Sequence, residues 1–265
     1  MRLFLALSPR HRRVAAPEPP GELAPWRSVR AARPDGESPL AATWFEATGQ
    51  ARGAVLLVHP WVQTGKAYFH RRGRIPALRS AGYHALAIDL GGFGGSARQA
   101  GFFDRDVAAG LACLRQLAPG LPLHLWGVSS GGYWAHPALT AARGVAGAMF
   151  EDVSPHLLEW SWRIAPWGRP AYIFFRRCLP RAYRYLDLRR HAAALRIGAA
   201  AYVSGGRDRG ILPAETRDLA DRAGARHLVV PRAEHLGSIL EAPDDVVALA
   251  LSTFEQAEIR AAAPA

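Results

Sequence analysis

The chain has 265 residues, enough to bury a full core as one α/β domain carrying an insertion. Its two cysteines, far apart at 113 and 178, exclude a disulfide framework or a cysteine metal cluster, and no apolar run approaches the ~18–20 residues needed to span a bilayer. The formal net charge of +11 is almost all arginine, with Lys66 the only lysine; the arginines are dispersed and no nucleic-acid-binding module accompanies them, so the charge does not point to nucleic acid.

Residues 1–25 read as a mobile, proline-rich arm. The apolar patch from Leu3 to Leu7 is short and is followed by Pro9 and Arg10-His11-Arg12-Arg13, whereas a secretory signal puts basic residues before a longer apolar core. The expected compartment is a reducing cytoplasm. Arg27 to Ala31 and Leu40 to Glu46 read as short strands, with Pro34-Asp35-Gly36 turning between them. Gly53 to His59 is a near-continuous apolar run bounded by turn residues, the pattern of a strand buried on both faces. A helix is expected over residues 68–80. The next strand, 83–89, ends in the glycine-rich Gly91-Gly92-Phe93-Gly94-Gly95-Ser96, and a helix over 103–117 holds Cys113 as a buried small residue. Strands follow at 123–126, 147–152, 199–204 and 227–231, and a final helix covers about 243–258. An opening hairpin followed by alternating strands and helices describes a mostly parallel sheet with helices on both faces.

The 123–126 strand runs directly into Gly127-Val128-Ser129-Ser130-Gly131-Gly132. After a strand and before a helix, Gly-x-Ser-x-Gly describes a sharp turn with the serine at its apex. Such a turn crowds its neighbours, so side chains at 127 and 131 would clash. It also lifts the Ser129 hydroxyl clear of the sheet and close to a helix N-terminus, where backbone N–H groups stabilise negative charge.

With this motif on a βα pattern, residues ~27–258 resemble the α/β-hydrolase family. The resemblance implies a triad in the chain order serine, acid, histidine, each on a loop after a core strand. Ser129 matches the nucleophile. Asp208, in Ser204-Gly205-Gly206-Arg207-Asp208, matches the acid. His235, in Ala233-Glu234-His235-Leu236-Gly237, matches the base and lies 27 residues later, room for one helix and one strand. His235 would take the serine proton and return it to the leaving group, while Asp208 holds the imidazole tautomer. The oxyanion of a tetrahedral intermediate needs preorganised donors, each worth roughly 3–4 kcal/mol. By the same match these are the backbone N–H groups of Ser130 and of Trp61, in the loop His59-Pro60-Trp61. The family usually has glycine where this chain has Pro60; proline cannot donate, and it stiffens the loop. Asp89-Leu90-Gly91-Gly92-Phe93-Gly94-Gly95-Ser96 resembles the family's Asp-x-x-Gly-x-Gly-x-Ser loop, a structural marker more than a catalytic one.

Each position has a competitor. Ser130 is a second hydroxyl, but only Ser129 is centred between Gly127 and Gly131. Asp152 rivals Asp208, because some members of the family carry the acid after the earlier strand; Asp208 could instead cap a turn or pair with Arg207 or Arg209. His59 is expected to order the oxyanion loop by hydrogen bonding, and His124 to pack in the sheet.

The expected core comprises residues 26–154 and 193–260, with 155–192 inserted as a helical lid. The insertion interleaves Trp160, Trp162, Trp167, Tyr172, Phe174, Phe175, Tyr183 and Tyr185 with eight arginines, against two acids, Glu159 and Asp187. One reading is a small cap whose aromatics pack on the sheet while the arginines stay solvated. Another seats the lid on an anionic membrane surface, or lines a pocket for an acyl chain or acidic group. The expected function is a serine hydrolase, carboxylesterase- or lipase-like, that cleaves a carboxylic ester with an apolar part through an acyl-enzyme, without metal or organic cofactor. Acyl transfer or amide and peptide cleavage by the same triad is the alternative. A non-catalytic binding protein on the same fold is the third.

Overall fold

In the computed structural model of the chain, residues 17–34, 36–62, 64–98, 102–164 and 168–262 are described. Residues 1–16 of the expected arm, Asp35 of the expected turn and Trp167 of the insertion lie outside them.

Eight strands form one sheet: β1 (Trp26–Ala31), β2 (Leu40–Phe45), β3 (Gly53–Val58), β4 (Tyr83–Ile88), β5 (Leu123–Val128), β6 (Gly147–Glu151), β7 (Ala199–Gly205) and β8 (Arg226–Val230), in the order β1-β2-β4-β3-β5-β6-β7-β8. β1 pairs antiparallel with β2 and β2 antiparallel with β4, whereas the remaining pairs are parallel. β3 is flanked by β4 on one side and β5 on the other. The chain thus reverses its direction of travel across the sheet between β3 and β5, and the loops after these two strands open at that switch point.

The two-residue alternation of a strand sorts the core onto two faces. Leu56, Val58, Leu125 and Phe150 pack with Val107, Leu111 and Tyr133, so α2 (Asp104–Leu117) and α3 (Ser130–Ala141) cover one face. Val55, Leu57, Trp126 and Met149 pack with Ile75, Leu78, Val246 and Phe254, so α1 (Arg74–Ser80) and the C-terminal helix Pro243–Ala262 cover the other. The fold is that of an α/β-hydrolase.

Two sequence expectations are amended. The helix expected over 68–80 is divided: a 3-10 turn spans Gly65–Arg71 and α1 begins at Arg74, because Gly73 takes the left-handed conformation at φ 70°. The last residues of the expected mobile arm are also held: Leu23 is buried in the core and Arg79 donates to the carbonyls of Leu23 and Ala24.

Among the described residues, four helices stand between β6 and β7: α4 (Leu157–Ile164), α5 (Arg169–Cys178), α6 (Pro180–Tyr185) and α7 (Leu188–Ala193). Tyr172, Phe175, Tyr183 and Tyr185 pack against the core, and Arg163 makes a two-pronged ion pair with Glu215 at 2.6 and 2.8 Å. By contrast α5 buries none of its residues. Among the described residues no helix is long and apolar enough to cross a membrane.

Candidate active site

β5 carries Ser129 to the sheet edge, and α3 starts at the next residue. Ser129 has φ 48° and ψ −116°, a conformation that L-residues rarely adopt. Its N–H donates to Glu151 O at 2.7 Å, and its own carbonyl accepts from Tyr133 N at 2.8 Å. Gly131 is obligatory here: a Cβ would lie 2.2 Å from the Val58 carbonyl oxygen and 2.6 Å from that of His59. A Cβ on Gly127 would meet the Gly132 Cα at 2.6 Å. Both glycines are therefore required by close backbone approach, as the motif implied.

The Ser129 Oγ is 3.0 Å from His235 Nε2, and His235 Nδ1 is 2.7 Å from Asp208 Oδ2. A carboxylate only accepts, so Nδ1 carries the imidazole proton and Nε2 is free to accept from the serine hydroxyl. Asp208 is buried, and its Oδ1 accepts from the N–H groups of Gly210 and Ile211 at 2.8 and 2.9 Å. Burial alone would lower the His235 pKa; the hydrogen bond and charge of Asp208, followed by the charge of Asp152, outweigh burial and raise it.

None of the competitors joins this relay. Ser130 Oγ is buried and finds no hydrogen-bond partner among the described residues. Asp152 accepts from Gly205 N and Leu236 N at 3.0 and 2.8 Å rather than from the His235 ring. His59 is fully buried; its Nε2 accepts from Leu90 N at 3.0 Å, so its Nδ1–H donates to Pro60 O at 2.6 Å. Val62 N also donates to that carbonyl, at 2.7 Å, so Pro60 is pinned from both sides. The Trp61 ring stands edge-on to Phe93 and Phe103. His124 is buried at 3.1 Å from Glu258, its ring tilted against that of Phe254. Asp89 holds the glycine-rich loop through Lys66 Nζ at 2.7 Å and Gly95 N at 2.9 Å, which makes that loop a structural element.

A protein-family model described as serine aminopeptidase, S33, matches residues 49–191, more than half of the chain. The chain belongs to this family of hydrolases. It is accordingly an α/β-hydrolase enzyme of the broad serine hydrolase kind. An esterase from Pyrococcus furiosus has a similar fold: TM-score 0.73, 18% identity, covering 89% of this chain and 93% of that one. The acylaminoacyl peptidase of Pyrococcus horikoshii gives a TM-score of 0.63 at 14% identity, over 84% of this chain and 39% of that one. A puromycin-hydrolyzing peptidase of Mycobacterium tuberculosis gives 0.66 at 20% identity, over 86% and 40%. No curated protein matches the chain.

Sequence reasoning missed the support beneath this S33 hydrolase's serine turn. Arg74 and Glu151, both fully buried, pair through Nε–Oε1 at 2.9 Å and Nη2–Oε2 at 2.6 Å. Trp126 Nε1 donates to the same Glu151 Oε1, and the guanidinium lies 5.5 Å from the Trp126 ring centroid. The one available signal was a glutamate ending the otherwise apolar Gly147–Glu151 strand, which demands a buried partner. Among the described residues no group of three or more His, Cys, Asp or Glu is placed to hold a metal ion.

Proposed function

We propose that this hydrolase cleaves a carboxylic ester with an apolar part through an acyl-enzyme on Ser129. His235 acts as general base and then general acid, and Asp208 fixes its tautomer and stabilises the imidazolium. The backbone N–H groups of Trp61 and Ser130 receive the oxyanion. The observation that carries this reading is the relay of 3.0 and 2.7 Å from Ser129 through His235 to Asp208, with the serine at φ 48°. The reading divides the chain into a core of residues 26–154 and 193–260 and a lid of residues 155–192. In support of the lid, Arg163 donates to Gly210 O at 2.9 Å and Trp160 Nε1 borders Gly210, the residue whose N–H holds Asp208.

Peptide or amide cleavage is the second reading, favoured by the serine aminopeptidase description of the family. The insertion argues for the ester. An aminopeptidase must receive a free ammonium group. Here eight arginines face two acids, and both acids are engaged: Glu159 with Tyr183 and Arg189, Asp187 with Arg189. A fluorophosphonate probe should label Ser129, and Ser129→Ala should abolish the labelling. A folded protein that stays unlabelled refutes the triad and favours a binding role. p-Nitrophenyl esters of rising chain length, beside p-nitroanilide counterparts, then decide the bond: faster anilide turnover overturns the ester reading.

The same insertion is proposed to meet an anionic lipid surface. Trp162, Ile164, Ile173, Phe174 and Leu179 are each 40–53% exposed beside solvated arginines, an apolar and basic pairing that complements acidic headgroups. Co-sedimentation with anionic but not neutral vesicles, weakening with salt, is expected. Equal and negligible binding to both removes the membrane contact without touching the triad.

A further inference from the structure

Three non-glycine residues among those described have a positive φ: Ser129 at 48°, Asp152 at 49° and Leu236 at 64°. Each such backbone is strained and persists only where its surroundings over-determine it. Here the surroundings are one another. Ser129 is bonded to the last residue of β6, Glu151, and Asp152 is the residue after it. Asp152 N donates to Val203 O in β7 at 2.9 Å. Its Oδ1 accepts from Gly205 N at 3.0 Å, at the start of the turn that carries Asp208. Its Oδ2 accepts from Leu236 N at 2.8 Å, immediately after His235. One fully buried carboxylate therefore joins the acid-bearing turn to the base-bearing loop.

We propose that Asp152 is a positioning residue for the base, clamping the His235 loop to the Asp208 turn and adding a second negative charge that favours the His235 imidazolium. The proposal rests on the reading of Ser129, His235 and Asp208 as the triad.

The charged groups around it support an electrostatic part to this role. Among the described residues no lysine or arginine pairs with Asp152. Its neighbour Glu151 is already held by Arg74, and Asp208 is spent on His235 Nδ1 and two backbone N–H groups. His235, once protonated, is the group of opposite charge that Asp152 interacts with. Burial pushes the Asp152 carboxyl up, the His235 charge opposes that, Glu151 adds to it, and the two backbone N–H groups oppose it. In return the Asp152 charge contributes to raising His235. A carboxylate that only bracketed two N–H groups would leave the pH at which His235 loses its proton unchanged.

Asp152→Asn separates these cases. Asparagine tolerates the left-handed backbone as aspartate does, so the substitution removes the charge and one acceptor while keeping the φ. The assay is kcat/KM for a turned-over p-nitrophenyl ester across pH, normalised to sites titrated with the fluorophosphonate. Two changes are expected together. The plateau falls by up to about 100-fold, as a loosened base demands. The acid limb moves to lower pH by roughly half a unit or more, because the imidazolium has lost a counter-charge. If the single variant does not fold, the same comparison is made in a Leu236→Gly background, which keeps the N–H and relieves the φ of 64°. Ser129 labelling with an acid limb that stays in place overturns the proposal and leaves the triad standing. No labelling of the wild-type protein overturns the triad reading, and the proposal with it.

Discussion

The buried Arg74–Glu151 pair gives the sharpest stability prediction. Glu151→Gln is nearly isosteric. It removes one charge and replaces one acceptor by a donor. Bulk solvent does not reach the pair to compensate: Arg74 is 0% and Glu151 1% exposed. Arg74 then keeps a full charge facing an amide, and of the three donors aimed at Glu151 (Arg74 Nε, Arg74 Nη2 and Trp126 Nε1) at least one loses its acceptor. Breaking a buried pair in this way costs about 3–5 kcal/mol. At roughly 2–4 °C per kcal/mol for a chain of this size, the melting temperature should fall by about 6–20 °C. Thermal unfolding followed by circular dichroism reads this directly. Replacing both partners with apolar residues, Arg74→Met with Glu151→Leu, removes the orphaned charge and should recover most of the loss. The Trp126 N–H, left unpaired, accounts for the remainder, about 1–3 kcal/mol. A Glu151→Gln protein melting within 2 °C of the wild type would refute the reasoning. So would a double variant as unstable as the two single losses added together.

Three further predictions concern titrating groups. His136 is fully buried with Nδ1–H donating to Gly132 O and Nε2 accepting from Tyr202 OH; burial, the largest cause, lowers its pKa from 6.5 to about 4. A lowered histidine pKa means that the unfolded chain takes the proton first. Stability is therefore complete above pH 6.5 and is lost as pH falls toward 4, with this group contributing about 2 kcal/mol of loss by pH 5. Denaturant titrations at pH 7 and pH 5 should show the loss, and His136→Gln should shrink the difference between them; an undiminished difference assigns it elsewhere. His235 is raised, so hydrolysis by the proposed triad, which needs the neutral imidazole, should fall away as pH drops through a value above the ordinary 6.5. Asp208→Asn should move that limb to lower pH and cut kcat by roughly 10⁴-fold by releasing the tautomer; a loss of less than tenfold would remove Asp208 from the acid role.

The sheet was legible because its strands are apolar runs bounded by turn residues, and Gly53–Val58, buried at every position, is the plainest case. The serine turn was legible for a local reason too: the glycines at 127 and 131 answer contacts made within a few residues or with the adjoining strand. Asp208 and His235 were not legible from local pattern. They came from a resemblance in chain order, and the structure places them within hydrogen-bond reach of one another. The division of the helix expected over 68–80 turned on the conformation of Gly73, which periodicity does not weigh.

What escaped the sequence around the site shares one property: it depends on pairs distant along the chain. Arg74 and Glu151 are 77 residues apart, and Leu236 is 84 residues from Asp152. Nothing in the segments around them announces the partner. At sequence level Asp152 therefore looked like a rival for one position, since a carboxylate after β6 and one after β7 both point to the same sheet edge. On the proposed triad the rivalry falls away. An imidazole Nδ1–H donates to one acceptor, and Asp208 has it at 2.7 Å. A second carboxylate at that edge can still act by holding the loop and by its charge, neither of which needs the ring proton. On these proposals two acids converging on one histidine take different tasks. The distinction is set by which N–H groups each oxygen satisfies, and residue type and chain order do not determine it.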